Sequence, residues 1–197
     1  NEIVVFEMED TGKRNLQGLD KPILDSLGID KNKPEKQQRN QTGSPILEEG
    51  DILLNTTLAE TNDWQQVDLP VVRTLRHFCI ETLSSYTEDN QACISEVDLL
   101  DDKGQPIDKT KWEVVYVSSE QADKNLGVAE NLFDGDISSF WHTDPATEPG
   151  QPHRIIVDIK EIYKISALRF KVRKGAFLSG KVKEINVYGR PQFFLFH

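Results

Sequence analysis

No stretch of this chain is apolar over the roughly 18–20 residues that a membrane-spanning helix needs. The 197 residues also hold only two cysteines, one methionine and four histidines. Positive charge is scarce, with 23 Lys and Arg against 33 Asp and Glu, a formal net charge of −10. Each shortage removes a class of function. Insertion into a membrane by an apolar helix is excluded. A chain this acidic repels phosphate backbones, so nucleic acid is excluded as a partner, and an anionic membrane surface offers it nothing. The few histidines show no His-Glu-x-x-His run, and no nucleophile elbow, phosphate loop or Cys-His pairing occurs. Neutral partners such as glycans remain, together with cations and other proteins.

Apolar residues make up 37% of the chain, which is low for a uniformly compact protein. A core of ordinary size needs only about 140 residues, with the remainder polar. The texture divides accordingly. Ile3-Val4-Val5-Phe6 reads as a short strand at the start. Residues 11–50 are rich in Lys, Asn, Gln, Asp, Gly and Pro, with one apolar patch at Ile23-Leu24 and Leu27. They read as a long irregular excursion with a single helical turn, and loops of that length tend to be functional or mobile. Residues 1–51 are therefore expected to form a polar N-terminal extension, and 52–197 a folded domain.

From Ile52 onward the pattern is β. Strands are expected at Ile52–Leu54, Trp64–Val67, Thr74–Leu83, Ala92–Leu100, Lys111–Ser118, Arg154–Ile159, Ile165–Val172, Val182–Tyr188 and Phe193–Phe196. Trp112, Val114 and Tyr116 alternate with Glu113, as on a half-buried strand. Asp101-Asp102-Lys103-Gly104, Glu148-Pro149-Gly150 and Ser179-Gly180 supply turn chemistry between them. Short strands at regular spacing without a long helical pattern predict an all-β sandwich or barrel. The run Phe193–Phe196 is too apolar for a free tail and is expected to add a strand or cover an edge. Cys79 and Cys93 flank Tyr86 symmetrically. A cross-strand disulfide and two small buried thiols are both open readings.

Residues 129–143 carry the most chemistry. Asp134-Gly135-Asp136 lies between two aromatic anchors, Phe133 and Phe140-Trp141. A turn of this kind aims carboxylates and main-chain carbonyls at one point, and calcium takes six to eight oxygens at flexible geometry. The alternative is a tight turn whose carboxylates are simply solvated. His142 and His153 lack metal-binding spacing. His142 reads as a hydrogen-bonded group at the edge of the sandwich or as a sugar contact. Trp141 reads as core. In Leu168, Phe170 and Val172 the alternation turns Arg169 and Arg173 outward. Asn40-Gln41-Thr42 and Asn55-Thr56-Thr57 have the form of glycosylation sequons.

Residues 111–189 resemble the discoidin-type domain, also called the coagulation-factor type C domain. The resemblance lies in Ala129-Glu130-Asn131, Phe133-Asp134-Gly135-Asp136 and Phe140-Trp141-His142-Thr143. It continues through Pro152-His153, Ile155–Ile159, Ile165–Phe170 and Gly180–Tyr188. It implies a jelly-roll β-sandwich of the galactose-binding-domain type, acting as a non-catalytic carbohydrate-binding module outside the cell or at its surface. Its partner would be a glycan or glycoprotein. A protein–protein or adhesion module on the same scaffold is the alternative, since fold does not fix function; a small glycoside hydrolase ranks last. The resemblance also implies a structural calcium held by the carbonyl of Asn131, by Asp134, Asp136 and Ser139, and by Glu96. By the same resemblance Arg173 would face the ligand loops, and His142 and His153 stand beside it as candidate ligand contacts.

One feature departs from the family. Its last two strands normally follow the Tyr188-like position, yet the matching segments here, Val72–Ser84 and Ala92–Leu100, lie upstream. A circularly rearranged strand order follows as an expectation, and it requires Glu96 to lie beside Asp134 in space.

Overall fold

Two unusually long strands organise the molecule. In this computed structural model, which describes residues 43–87, 89–146, 150–172 and 180–197, β2 runs over Gln65–Thr82 and β7 over His153–Lys171. They pair antiparallel along nearly their whole length, from Gln65 opposite Phe170 to Thr82 opposite His153. The sequence suggests two strands in each of these segments, with breaks near Pro70 and Lys160. The breaks are register shifts inside continuous strands, between Asp68 and Arg73 and between Leu75 and His77. Pro70 has no amide to give a ladder, and Lys160 takes φ 73°, so both irregularities fall where regular pairing would fail. They fall at different points of the ladder, Pro70 between the Asp68–Ala167 and Arg73–Ile165 pairs and Lys160 opposite the step from Leu75 to His77, and pairing resumes beyond each.

The remaining strands build outward from this pair. They are β1 (Ile52–Thr57), β3 (Cys93–Ile94), β4 (Glu96–Asp101), β5 (Glu113–Val117), β6 (Trp141–His142) and β8 (Glu184–Arg190). The main sheet runs β1-β8-β2-β7-β4, with β5 also on β7; its pairs are all antiparallel. The first half of β7 pairs with β5 and its second half with β4. A two-stranded ladder of β3 and β6 forms the smaller layer. The protein is an all-β sandwich, as the strand spacing predicts. The described residues fall within one compact unit, Gln37–His197. The expected strand at residues 3–6, the helical turn at 23–27, the first sequon and Arg173 lie outside the described residues.

The core lies between the sheets. Phe78, Trp112 and Phe133 form an aromatic row, with ring centroids 5.5 Å and 5.6 Å apart and tilted or edge-on geometry. Trp141 is fully buried beside them. A second cluster sits on the outer side of the main sheet and gathers Cys79, Ile156, Tyr188 and Phe194. Here the C-terminal run settles. Phe194 is buried, while Phe193 and Leu195 are exposed. The run adds no full strand; it is tied to residues 44–46 by Ile46 N–H to Leu195 O (2.8 Å) and His197 N–H to Ser44 O (3.0 Å). It covers a face of the sheet, where an added strand or a covered edge was expected.

One local expectation fails and one open choice is decided. Alternation along β5 is interrupted by an irregularity between Val114 and Tyr116. Trp112, Val114 and Val117 therefore face the main core, and Tyr116 turns to the second cluster. The two cysteines are both buried, and no disulfide joins them. The chain leaves β2 at Thr82, and β3 pairs with β6 instead of folding back on β2. That carries Cys93 away from Cys79 and decides for separate thiols.

Candidate functional site

The Asp-Gly-Asp turn is built from the inside out by Asn131. Residues Ala129–Phe133 form one 3-10 turn that buries Ala129, Asn131, Leu132 and Phe133. The Asn131 side-chain amide donates to the carbonyls of Asn125 (3.1 Å), Phe140 (3.0 Å) and, more weakly, Leu126 (3.4 Å). One buried amide thus ties together the chain before and after the turn. Trp141 adds a second tie, from its indole N–H to Ser119 O at 3.0 Å. The turn itself follows from local chemistry. Asp134 Oδ1 accepts from Asp136 N–H at 2.9 Å, an Asx-type closure. Gly135 takes φ 78°, a left-handed conformation that favours glycine. The Ser139 hydroxyl lies 2.5 Å from Asp134 Oδ2 and 2.9 Å from the Asp136 carbonyl. The Asp136 carboxylate points away from this group, accepting from Ser138 N–H (2.9 Å) and its hydroxyl (2.6 Å).

Glu96 meets this turn from β4. Gly135 N–H donates to Glu96 Oε1 at 2.9 Å, across 39 residues of sequence. The strand expected to supply this carboxylate from upstream therefore does lie against the motif. Glu96 is 1% exposed. Burial pushes its carboxyl up to about 7; the Lys109 ammonium opposes the rise, and the hydrogen bond and charge of Asp134 add to it. Lys109 is a component that sequence reading missed. Its ammonium pairs with Glu96 Oε2 and lies 2.6 Å from Asp98 Oδ1. Asp98 is also held by Arg169 at 2.7 Å. Burial would raise the Asp98 carboxyl, but hydrogen bonds from Lys109 and Arg169 outweigh it and leave it below the usual range. Lys109 sits in an ordinary polar loop, so nothing in its neighbourhood of sequence singles it out.

The histidines take structural places. His142 on β6 and His153 on β7 are 4% and 3% exposed. The His142 Nδ1–H donates to Thr143 O, and the His153 Nε2–H donates to Asn90 O at 2.7 Å. Burial holds the His153 imidazole below its ordinary range despite that hydrogen bond. His142 thus occupies the hydrogen-bonded position at the sandwich edge, the first of its two expected readings. Both rings sit beneath the surface rather than on it. Among the described residues no group of three or more His, Cys, Asp and Glu side chains gathers to hold a metal.

With this geometry in view, the comparison with known proteins is direct. Residues 114–192 match the model of the F5/8 type C domain. That stretch is similar to an F5/8 type C domain. The matched stretch is less than half of the chain, and it begins after β4. Yet β2 and β4 complete the sheet into which the domain's own β7 is built. That is the arrangement the rearranged strand order requires. The chain is also 33% identical over 84 residues to a sialidase from Micromonospora viridifaciens. That alignment covers 42% of this chain and 13% of the relative, so it compares one part of each protein. The F5/8 type C domain is a binding module, often for carbohydrate. No helix of the described residues is long and apolar enough to cross a membrane.

Proposed function

We propose that the F5/8 type C domain here is a non-catalytic carbohydrate-binding module working outside the cell or at its surface, with a glycan or glycoprotein as partner. The observation that carries this reading is the family match over residues 114–192, with the 84-residue similarity to a sialidase beside it. The acidic surface agrees, since it disfavours polyanions and leaves neutral glycans free to approach. Glycan-array binding followed by calorimetry tests it. Saturable binding to a defined glycan is expected, and no binding to any sugar removes the reading.

A structural calcium belongs to the same proposal. The donors around the turn are all oxygens, the kind a hard cation takes. Glu96, Asp134, the Ser139 hydroxyl and the Asp136 carbonyl would hold it. The Asp136 carboxylate and the Asn131 carbonyl complete the set expected from the resemblance, although the Asp136 side chain is engaged with Ser138. The ion would staple the turn to β4 and stabilise the folded state alone. Melting with and without chelator reads this directly; an unchanged midpoint at neutral pH counts against the ion. A protein–protein or adhesion role is the second reading, and the exposed Phe193 and Leu195 favour it. Glycoside hydrolysis ranks last, because Glu96 is buried and both its oxygens are engaged.

A further inference from the structure

Three tryptophans occur in the chain, and two of them are core: Trp112 is 5% exposed and Trp141 not at all. Trp64 is 39% exposed. A large aromatic ring held at a protein surface needs a reason, and the surroundings of this one supply it. The Arg169 guanidinium carbon lies 5.2 Å from the centroid of the indole and covers one face. Arg169 is itself fixed by Asp98 at 2.7 Å, and Asp98 by Lys109 at 2.6 Å. The ring therefore rests on a chain of ion pairs that ends in the buried carboxylates of β4.

The segment that presents Trp64 is equally constrained. Lys171 Nζ donates to Asn62 O at 2.6 Å. The Gln65 side chain accepts from Ala59 N–H at 2.8 Å and donates to Ala59 O at 3.2 Å. The Tyr86 hydroxyl donates to Leu58 O at 2.7 Å. Arg169 and its ion pair with Asp98 stand on the outer face of the main sheet. Val97, Leu99, Leu168 and Phe170 point into the core, so Asp98 and Arg169, which alternate with them, point out. Gln66, opposite Arg169 across the ladder, is exposed on the same face.

We propose that the free face of Trp64, with Gln66 and Lys171 beside it, is a stacking platform for a neutral pyranose. An indole face suits the apolar C–H side of a sugar ring, and the flanking amide and ammonium can meet its hydroxyls. Local charge points to a neutral ligand. Arg169 is paired with Asp98, Lys171 is bonded to Asn62 O, and the exposed Asp63 and Asp68 flank the ring in sequence, which leaves no excess of cation to recruit an acidic sugar. The platform lies apart from the buried His142 and His153. It deepens the glycan-binding reading above and rests on it. Taking a whole tryptophan side chain as about 250 Å², 39% exposure leaves roughly 100 Å², enough for a ten- to hundredfold effect on affinity.

The test titrates the full chain with methyl pyranosides of galactose, glucose and mannose, with lactose and cellobiose, and with sialyllactose as the anionic arm. Calorimetry and tryptophan emission are the readouts, and melting of each variant confirms the fold. Binding of a neutral sugar with a change in emission is expected. Trp64→Ala should weaken it ten- to hundredfold and abolish the emission change with the melting midpoint kept, while Trp64→Tyr should retain binding within about tenfold. If the wild type binds no glycan, the glycan-binding reading falls and takes the platform with it. If the wild type binds and Trp64→Ala binds equally well, the platform alone is overturned and the ring is left for a protein partner. Binding confined to sialyllactose overturns the choice of a neutral ligand.

Discussion

Removing the Asn131 side chain is the sharpest test of how the motif is built. In Asn131→Ala the carbonyls of Asn125 and Phe140 lose good donors and that of Leu126 a long one. The residue is 2% exposed, so water does not readily replace the amide. Each lost bond is worth about 0.5–1.5 kcal/mol, and a buried polar group left unpaired costs about 1–3 kcal/mol. Carbonyls carry two lone pairs and tolerate partial loss, so the sum falls at about 2–4 kcal/mol rather than at its upper limit. A chain of this size shifts its midpoint by roughly 2–4 °C per kcal/mol, which makes a drop on the order of 4–16 °C. Asn131→Asp should be worse at neutral pH, because a carboxylate would face three carbonyl oxygens. It should recover in part in acid, where a protonated carboxyl can donate one hydrogen bond. Denaturant unfolding of both variants, followed by tryptophan emission, measures the change. A loss below about 0.5 kcal/mol for Asn131→Ala, or an Asp variant no worse than Ala, would refute the clamp.

Other perturbations probe the surroundings. Gly127→Ala places a Cβ within 2.9 Å of the side chains of Gln121 and His142, so it should cost about 1–3 kcal/mol in denaturant unfolding; a neutral result would mean the loop gives way freely. Lys109→Met leaves the buried Glu96 carboxylate without its ammonium, while Arg169 still holds Asp98. A loss of roughly 2–3 kcal/mol is expected, below the 3–5 of a fully buried pair because Lys109 is partly exposed. Acid should destabilise the fold through His77 and His153. Burial lowers both folded pKa values below 6.5, so their contribution is complete above the unfolded value and is lost as pH falls from there toward the folded values. Glu96, raised to about 7, gains stability as pH falls over the same range, so the test is run in Glu96→Gln, where a melting midpoint flat from pH 7 to 5 would contradict the histidine loss. Finally, Cys79 and Cys93 should resist a thiol reagent in the native state and react on unfolding, since both are buried and burial raises the Cys79 thiol well above its ordinary range.

The parts of this molecule that local chemistry dictates were legible in the chain. Alternation and turn residues located the sheet, and the Asp-Gly-Asp spacing located the loop. What the sequence could not show was set by pairing at a distance. The single strands β2 and β7 looked broken because Pro70 and Lys160 interrupt each of them. Only the partner strand reveals that pairing resumes beyond each interruption. Tyr116 was assigned to the wrong cluster because one extra residue in β5 reverses every side chain beyond it. Lys109 and Trp64 gave no local signal at all. Their roles come from Asp98 and Arg169, which alternation places on the outer face but which only the ladder brings together.

The strand order bears on where the site can come from. In the described fold Glu96 reaches Gly135 because β4 pairs with the second half of β7, and the turn packs over that edge. That contact depends on which strands are neighbours, not on which is made first. Moving β2 and β4 ahead of the motif changes the loops that connect them but leaves the β2-β7-β4 ladder intact. The rearrangement has a consequence at the other side of the sheet. The loop from Leu58 to Trp64, which leads into β2, is carried to the outer face beside Arg169. The same displacement that supplies Glu96 from upstream therefore also supplies the exposed indole, and the ion pairs through Asp98 join the two. A substitution that loosens Lys109 should then be felt at both ends, in the stability of the turn and in the fixed orientation of Trp64.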